Sequence, residues 1–428
     1  MILEKSIVDV QLAAPLNILF LTQYFPPETT AGANRVYELA KQWVRQGQQA
    51  QVLTGFPNHP DGVIPAAYQG HALLREDFEG ISVIRTFTYA TKNQGKVRRS
   101  LQYLIFLLAT VLQGASSVKR CDVVIATSPH LLVAVAGAIL SLILRKPFVM
   151  EVRDIWPEAV LAVGAMKRGG VIRILEGIEK ALYRHAKMVV VVTEGFAAKL
   201  VAKGVPAEKI TYLPNGIDVD RFSELIERES VKQRYGFKNK FLVSYIGNHG
   251  MAQNLSTILE IADRFREQAD MQFMLAGDGA ELAKIREKAA EMKLANVAIL
   301  GPQPREAVPE LLGMSDVCLV PLRKTSLFNA TVPSKIYEIL AAGVPLLISV
   351  DGDARRLVER SGGGLFVEPE DVDQYESAIR QLYSSEALRI SMAKQGQAFV
   401  RAEFDRASLA TTYVNALRSL VSNKVSVV

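Results

Sequence analysis

Cysteine is nearly absent from this sequence. The 428 residues include only Cys121 and Cys318, which lie in different halves of the chain, each in an apolar, strand-like run. This arrangement argues against a disulfide framework or a cysteine-rich metal site and favours a reducing compartment. The five histidines show no paired metal-ligand spacing. We therefore expect no metal ion and no other cofactor.

Long apolar runs are also missing. The N-terminal stretch 1–17 carries Glu4 and Asp9 where a signal peptide would need an apolar centre, so export is not expected. The longest apolar runs, at 101–112 and 131–144, are shorter than the roughly 18 to 20 residues that span a bilayer. The sequence therefore predicts a soluble or peripheral protein.

The basic charge is confined to the first half of the chain. Residues 1–215 hold 24 Lys and Arg against 16 Asp and Glu, whereas residues 216–428 hold 26 against 28. The net charge is therefore +8 in the first half and −2 in the second, which gives the total of +6. A negatively charged surface would meet the first half.

Short apolar runs alternate with helical patterns along most of the chain. In the first half the predicted strands are 17–23, 50–55, 121–128, 147–152 and 188–193, with helices at 34–47, 130–144 and 170–185. After a break near 213–225, a second series begins with strands at 241–248, 271–279 and 316–322. Strands of this kind form parallel sheets covered on both faces. The predicted fold is α/β, with two doubly wound, Rossmann-like domains and a central cleft.

The predicted domain boundaries follow from these two series. The first domain covers 1–216, a linker covers 217–239, and the second domain covers 240–404.

The segment "PSKIYE" predicts an anion site at a helix start. Pro333 suits the first helical position and Gly343 the stop, so the amides of Ser334 and Lys335 point out of a positive helix end. Glu338 follows one turn later in an apolar row, where it needs a partner such as two ribose hydroxyls. The pattern favours a nucleoside diphosphate, and the alternative is a capped amphipathic helix with one exposed lysine.

Two loops that follow predicted strands are candidates for ligand contact. The first, "TQYFPPETTAGANR", lacks Gly-x-Gly-x-x-Gly, so a dinucleotide-binding fingerprint is excluded, but Gly32 allows close approach and Arg35 lies near a helix start. The second, "SYIGNHGMAQN", places Gly247 and Gly250 around His249 before a helix that starts near Asn254, and its amides could hold a phosphate. Ordinary connecting turns remain the alternative for both.

Charged residues cluster after the predicted strand 147–152. The stretch "EVRDIWPEAV" contains Arg153 and Asp154 close to Trp156 and Glu158, which favours a site over a salt-bridged loop. The Asp-x-Asp pairs elsewhere lie in the linker, in a loop and at a helix start, so we interpret them as turns and caps and not as a metal site.

A basic segment precedes an apolar helix in the first half. In the stretch 91–112, Lys92, Lys96, Arg98 and Arg99 precede the apolar run 101–112, which is predicted to be a helix. A basic edge beside an apolar face is typical of elements that bind anionic lipid. The alternative is a helix buried against the sheet.

Taken together, these motifs resemble the family 4 glycosyltransferases of the GT-B fold, in particular the bacterial O-antigen and colanic-acid type enzymes and their N-acetyl-L-fucosamine transferase group. The motifs that carry the resemblance occur in the family's order over nearly the whole chain: "QYFPPETTAGANRVYELAKQW", "FPNHPDG", "VRDIWPE", "LPNGID", "YIGNHGMAQNL", "AGDG" and "PSKIYEILAAGVPLL". The resemblance implies that the second domain binds a nucleotide-sugar and the first binds the acceptor. It also implies that the C-terminal helix, 405–428, crosses back onto the first domain.

The family's motif residues transfer unevenly to this chain. Glu338 matches the second glutamate of the Glu-x7-Glu motif, the ribose ligand, whereas the first falls on Ala330. The family's basic residues for the diphosphate fall on Asn248 and Asn254, so Lys335 has to carry that charge, with help from Arg323 or Lys324. The predicted donor-binding residues are Gly247, Asn248, His249, Gly250, Asn254, Arg323, Ser334, Lys335 and Glu338. The predicted catalytic residues are Asp154, Arg153 and Lys335, and the predicted acceptor-binding residues are Gly32, Arg35 and His59.

The resemblance implies a retaining glycosyltransferase that moves a sugar from a nucleoside diphosphate sugar to an acceptor hydroxyl. The implied donor is a UDP-sugar, such as one with an N-acetylated amino sugar, and the implied acceptor is a lipid-linked saccharide used in cell-surface polysaccharide synthesis. We expect a cytoplasmic protein that binds the anionic inner face of the plasma membrane, and no nucleic-acid partner. A UDP-sugar 2-epimerase of the GT-B fold and a non-catalytic nucleotide-binding scaffold are the alternatives.

Overall fold

The structure, a computed structural model, describes residues 14–422 except 29, 60, 92–95, 119, 129, 159–160, 162–167 and 223–226. Within these residues the chain forms two compact units. The first unit contains the chain up to Val191, the segment Val205–Thr211 and the chain from Ala410 onward. The second unit contains Val192–Gly204 and Tyr212–Leu409.

The strands and helices alternate along most of the chain. The strands are β1 Asn17–Leu21, β2 Gln49–Gly55, β3 Leu73–Phe78, β4 Ile81–Thr86, β5 Val123–Thr127, β6 Phe148–Val152, β7 Met188–Val191, β8 Ile210–Tyr212, β9 Phe241–Ile246, β10 Met271–Ala276, β11 Val297–Gly301, β12 Val317–Pro321, β13 Leu346–Ser349 and β14 Gly364–Phe366. The helices are α1 Ala31–Arg45, α2 Lys96–Ser117, α3 Leu131–Ile143, α4 Gly170–His185, α5 Glu194–Ala202, α6 Arg228–Arg234, α7 Ser256–Arg264, α8 Leu282–Glu291, α9 Val308–Gly313, α10 Lys335–Ala341, α11 Asp353–Ser361, α12 Val372–Ser384, α13 Glu386–Glu403 and α14 Arg406–Ser422.

The first sheet has eight strands in the order β3-β4-β2-β1-β5-β6-β7-β8. The strands from β4 to β7 in this order pair in parallel, and the β3–β4 hairpin at the edge is antiparallel. Every residue of β5 and β6 is buried. Apart from Thr127 and Glu151, both strands are apolar, because helices cover both faces of a parallel sheet. The carboxyl ends of β2, β1, β5 and β6 therefore lie side by side along one edge.

The second sheet has six strands in the order β11-β10-β9-β12-β13-β14, and all of its pairings are parallel. The strand order reverses between β9 and β10 on one side and β12 on the other. In sheets of this type, ligands bind beyond the carboxyl ends of the strands at such a point. This places the loops after β9, β10 and β12, together with the start of α10, where a ligand is expected.

These two sheets confirm the predicted pair of doubly wound α/β folds, although several details differ from the sequence-based expectation. The β3–β4 hairpin was not predicted, and helix α6 lies inside the stretch expected to be a linker. Helix α5 belongs to the second unit although its residues precede position 216. Its first turn is held there because the Asp353 carboxylate accepts the Gly195 N–H over 2.8 Å.

Helix α14 connects the two units. Its first residues belong to the second unit, and its residues from Ala410 onward belong to the first. In the first unit, Tyr413 packs edge-on against Trp43 with ring centroids 5.5 Å apart, and Arg418 donates to Gln48 Oε1 over 2.8 Å. The predicted return of the C-terminal helix to the first domain is therefore confirmed for its described residues.

Helix α2 is longer than the predicted apolar run at 101–112, and most of its apolar window is not buried. Its window Ser100–Ser117 is long and apolar enough, by length and composition alone, to cross a membrane, and only 28% of this window is buried. The sequence pattern did not indicate this length, because glutamine, tyrosine and serine interrupt the apolar residues. One such helix does not show a membrane span, since core helices of soluble proteins have the same length and composition.

Candidate functional site

The loops that follow β9 and β10 pack directly against each other at the carboxyl edge of the second sheet. The Gly247 N–H donates to the Ala276 carbonyl oxygen over 2.8 Å, and the His249 N–H donates to the Asp278 carbonyl oxygen over 2.7 Å. Gly277 has a φ of +145°, and a Cβ atom there would lie 1.8 Å from the Gly247 carbonyl oxygen. Only glycine allows this approach. The predicted glycine turn is thus fixed by backbone pairing between two loops.

Lys335 places its ammonium group beside this turn. Its Nζ lies 4.0 Å from the centre of the Tyr245 ring, and a Cβ atom on Gly247 would lie 2.5 Å from it. Within the described part of the chain, Lys335 has no carboxylate at ion-pair distance. Burial lowers the pKa of Lys335 to about 8, although the negative charge of Glu338 acts to raise it. A half-buried cation that rests on an aromatic face and lacks a carboxylate partner is well suited to bind an anion.

Helix α10 carries two of the predicted donor-binding residues, Lys335 and Glu338, on one face. It begins at Lys335, two residues later than predicted, and Ser334 is exposed at its N-cap. Glu338 is half-buried, and burial raises the pKa of its carboxyl group, while the charges of Arg221, Arg305 and Arg406 oppose this rise. Because residues three apart lie on the same side of a helix, a ligand that reaches the Lys335 ammonium can also reach Glu338.

His249 lies beneath the glycine turn and not on its surface. The residue is fully buried, and within the described chain neither ring nitrogen has a hydrogen-bond partner of normal geometry. Burial and the nearby charge of Lys335 lower the pKa of His249, so the ring is neutral at pH 7. Asn248 is exposed, and its carbonyl oxygen accepts the Tyr245 hydroxyl over 2.6 Å. Tyr245 was not predicted as a site residue, although an aromatic residue two positions before the glycine turn was a usable signal.

Two other predicted donor-binding residues, Asn254 and Arg323, form hydrogen bonds that hold neighbouring loops in place. The Asn254 side-chain amide donates to Thr257 Oγ1 over 3.1 Å and to Glu370 Oε1 over 3.2 Å, and its backbone is left-handed with a φ of 46°. Arg323 donates from Nε to the Met251 carbonyl oxygen over 2.6 Å. Both side chains therefore fix the segment 251–257 beside the glycine turn, which favours a supporting role for them.

Position 330 has no room for the carboxylate that the family motif would place there. Ala330 is 6% exposed, and its carbonyl oxygen accepts the Thr193 hydroxyl over 3.0 Å. A Cβ atom on Gly195 would lie 3.0 Å from the Ala330 Cβ and 2.5 Å from Asp353 Oδ2. The start of helix α5 therefore fills the space around residue 330, with the Asp353 carboxylate next to it.

In the first unit, Arg35 forms a buried ion pair with Glu151. Arg35 Nε lies 3.0 Å from Glu151 Oε1, and the two side chains are 6% and 0% exposed. A second bond joins Arg35 Nη2 to Glu151 Oε2 over 3.3 Å. This geometry speaks against the predicted contact between Arg35 and an acceptor, because the guanidinium group is turned inward and holds α1 against β6.

Arg153 and Asp154 follow β6 at the carboxyl edge of the first sheet. The Ser128 hydroxyl accepts the Arg153 N–H over 2.9 Å and donates to the Asp154 carbonyl oxygen over 3.2 Å, which fixes this loop. Arg153 is half-buried, and its Nη1 lies 2.9 Å from where a Cβ on Gly32 would be, so Gly32 leaves room for the guanidinium group. Desolvation raises the pKa of the Asp154 carboxyl group and Arg153 opposes it.

The remaining predicted residues lie in the first unit. His59 is exposed, and its backbone N–H donates to Glu28 Oε1 over 2.9 Å. Arg98 is exposed in the first turn of α2. Lys92 lies outside the described residues, as do the side chains of Lys96 and Arg99, so the predicted basic edge is described only at Arg98. Among the residues that the structure describes, no group of three or more histidine, cysteine or acidic side chains is placed to hold a metal ion.

Two doubly wound α/β folds in one chain are the architecture of the GT-B class of glycosyltransferases. Residues 227–399 match the family model "Glycosyl transferases group 1", and residues 30–216 match the family model "Glycosyl transferase 4-like domain". The two matches follow each other and together cover most of the chain, which therefore belongs to these glycosyltransferase families.

Glycosyltransferases with similar sequences or folds support this family assignment. WcaI of Escherichia coli K12, assigned to colanic acid biosynthesis as a glycosyl transferase, is 26% identical over 377 residues, covering 86% of this chain and 92% of WcaI. The UDP-Gal:alpha-D-GlcNAc-diphosphoundecaprenol alpha-1,3-galactosyltransferase of Escherichia coli is 27% identical over 189 residues, which is 42% of this chain and 47% of that enzyme. Anabaena HepE, solved with UDP and glucose, superposes with a TM-score of 0.71 at 19% identity, over 94% of this chain and 100% of HepE. The last similarity concerns the fold.

Proposed function

We propose that this glycosyltransferase moves a sugar from a UDP-sugar to a lipid-linked saccharide during the synthesis of a cell-surface polysaccharide, with retention of anomeric configuration. The observation that carries the proposal is the Lys335 ammonium group, which rests 4.0 Å above the Tyr245 ring without a carboxylate partner among the described residues. Removing a cation from water without a partner costs free energy, and an anion bound beside it offsets this cost. The diphosphate of the donor would be that anion.

The donor would lie along α10. Its diphosphate would contact Lys335, and its ribose hydroxyls would donate to Glu338 on the same helix face. HepE, which shares the fold, holds UDP in its structure. The nucleotide-bound form of HepE supports a donor of this class, and the resemblance to retaining family 4 enzymes supports the stereochemistry.

During transfer, the bond between the sugar's anomeric carbon and the diphosphate oxygen breaks, a bond to the acceptor oxygen forms, and the proton of the acceptor hydroxyl passes to the departing diphosphate. Negative charge then builds on the departing diphosphate. A positioned cation stabilises this charge more strongly in the transition state than in the ground state. Lys335 would supply it without a resident metal ion. Asp154, exposed at the carboxyl edge of β6, would orient the acceptor hydroxyl or the donor sugar.

The acceptor and its location rest on two further observations. The galactosyltransferase relative acts on a sugar linked to diphosphoundecaprenol, as its name states. In this chain, α2 exposes Leu101, Leu104, Leu108 and Leu112, a leucine stripe that is 43% to 72% exposed. The basic segment 92–99 precedes it in the sequence. An apolar stripe beside basic residues supports binding to the anionic cytoplasmic face of the plasma membrane.

Calorimetric titration with UDP, GDP and UMP tests the donor site. We expect UDP to bind most tightly, because UMP lacks the second phosphate that Lys335 would hold. The Glu338→Gln variant should weaken UDP at least several-fold, since the amide accepts fewer hydroxyl hydrogen bonds. Equal affinity for UDP and UMP would remove the basis of the proposal. A UDP-sugar that is converted without any acceptor would instead favour the epimerase.

The affinity for UDP should also depend on pH. The pKa of Lys335 is lowered to about 8, so the ammonium group is charged below this pH and loses its proton as the pH rises through it. We therefore expect UDP to bind at least about tenfold more weakly at about pH 9.5 than at about pH 7. The Lys335→Met variant serves as the control and should show a much flatter profile. A wild-type affinity that stays constant over this range would contradict the assigned contact.

Vesicle flotation tests the membrane contact. We expect the protein to float with phosphatidylglycerol vesicles at low salt and much less at high salt, because salt screens the basic segment. Replacing two members of the leucine stripe, in the double variant Leu104→Gln/Leu108→Gln, should lower the bound fraction several-fold. Ile390→Gln, an exposed apolar residue of the second unit, is the matched control. If the double leucine variant floats as well as Ile390→Gln does, the result would count against contact between α2 and lipid.

A further inference from the structure

Four partly exposed rings form a continuous row in the first unit. His59 lies 5.4 Å from Tyr24, Tyr24 lies 5.9 Å from His130, and His130 lies 4.5 Å from Tyr103, measured between ring centroids. His59 is exposed, and the other three are half-buried. We call these residues the four-ring row. Each neighbouring pair is tilted or edge-on, and none of the four residues is fully buried.

The row follows the carboxyl edge of the first sheet. Tyr24, His59 and His130 lie in the loops after β1, β2 and β5, which are adjacent strands. The next strand in the sheet, β6, is followed by Arg153 and Asp154. Tyr103 completes the row from the second turn of α2. The edge at which a parallel α/β sheet binds its ligand therefore carries the row and the proposed acceptor-orienting carboxylate together.

A buried network holds the row in place. The Glu28 carboxylate accepts the backbone N–H groups of Phe25, Asn58 and His59 over 3.3, 2.9 and 2.9 Å. The Gln102 side chain donates to Asn58 Oδ1 over 3.1 Å, and Gln102 directly precedes Tyr103. One carboxylate and one amide thus fix the two loops and the first turns of α2 relative to one another. Such preorganisation is typical of a binding surface.

The chemistry of the row fits a sugar. One face of a pyranose ring presents C–H groups, which pack on aromatic rings, and its hydroxyl groups pair with phenol and imidazole groups at the ring edges. Tyr103 and the leucine stripe lie on different faces of α2, because residues two apart on a helix do not face each other. The row therefore accounts for the saccharide of the acceptor and not for its lipid.

We propose that the four-ring row binds the saccharide of the acceptor. This inference rests on the proposed function, because it assigns the sugar end of the lipid-linked acceptor to particular side chains. It makes Tyr24, Tyr103 and His130 acceptor-binding residues in addition to His59. Arg35, which is buried against Glu151, is not part of this surface.

Histidine NMR tests the inference directly. With ¹³C at histidine Cε1, the full chain gives five signals, since it has five histidines. The probes are decyl diphosphates that carry N-acetylglucosamine, glucose or galactose, and decyl diphosphate without a sugar. At least one glycosylated probe should shift the signals of His59 and His130 and leave those of His71 and His185 in place. No shift from any of them, or an equal shift from the sugar-free probe, would overturn the inference.

The same spectrum separates this inference from the proposed donor site. UDP should move the signal of His249, which is buried beneath the glycine turn, and leave those of His59 and His130 unchanged. A missing response to UDP would contradict the donor site alone, whereas a missing response to the glycosylated probes would contradict the four-ring row alone.

Substitutions provide the second readout. Tyr24→Leu and Tyr103→Leu should each raise the dissociation constant of the best glycosylated probe about tenfold. The UDP affinity should stay at the wild-type value, which also shows that the variants are folded. Tyr212→Leu, at an exposed tyrosine of the second unit, should change neither constant. Probe affinities within twofold of wild type in both row variants would overturn the inference.

Discussion

Replacing Lys335 by methionine should lower kcat by at least about a hundredfold, which is the usual cost of removing one group that stabilises developing negative charge. Methionine retains an unbranched apolar stem above the Tyr245 ring but not the ammonium group. The transition state would therefore lose its only assigned cation. The rate of sugar transfer at saturating donor gives kcat, and the assay contains EDTA because the proposed mechanism uses Lys335 and no metal ion.

The control for this experiment is Lys284→Met. Lys284 is an exposed lysine of α8 in the same unit, with 70% of its side chain accessible, and its loss should leave kcat within about twofold of wild type. A Lys335→Met variant that changes KM but not kcat would show that the lysine contributes equally to ground state and transition state. In that case Lys335 binds the donor but does not assist departure of the diphosphate. Loss of wild-type activity in EDTA would contradict the metal-free mechanism.

The Glu151→Ala variant should lower the free energy of unfolding of the first unit by about 3 to 5 kcal/mol. The substitution leaves the Arg35 guanidinium group buried and without its carboxylate, because the two side chains are only 6% and 0% exposed. Urea unfolding measures the change. Lys41→Ala, in the same helix α1, removes one partner of a more exposed ion pair with Glu79 and should cost no more than about 1 kcal/mol.

A double variant separates the charge effect from general damage to the core. Arg35→Met combined with Glu151→Leu removes both charges and retains apolar volume, so it should recover much of the stability lost in Glu151→Ala. Equal loss in the single and double variants would show that packing, and not the loss of the Glu151 charge beside Arg35, determines the cost.

The sequence was sufficient to predict features that depend on local pattern. The strands of both sheets are short apolar runs, and the helices between them repeat apolar residues at helical spacing. The proximity of Lys335 and Glu338 also followed from the sequence, because residues three apart share one face of a helix wherever that helix packs. These features required no knowledge of the tertiary structure.

Features that depend on distant pairing were not predictable. Arg35 appeared available for a ligand because its partner, Glu151, lies 116 residues later in the chain. Asn254 appeared to be a donor ligand, yet its amide reaches Glu370, again 116 residues away. No local pattern encodes such pairs. The four-ring row was not predictable for the same reason, since only the order of the strands shows that its members are neighbours.

Helix α14 has a consequence for synthesis of the protein. Arg418 must reach Gln48, which lies 370 residues earlier in the chain. At about 5 to 20 residues per second, a ribosome needs on the order of 20 to 70 seconds between making the two. Until then the surface around Trp43 lacks Tyr413 and exposes apolar area. The first unit therefore cannot complete its folding until nearly the whole chain has been synthesised, although most of its residues are made first.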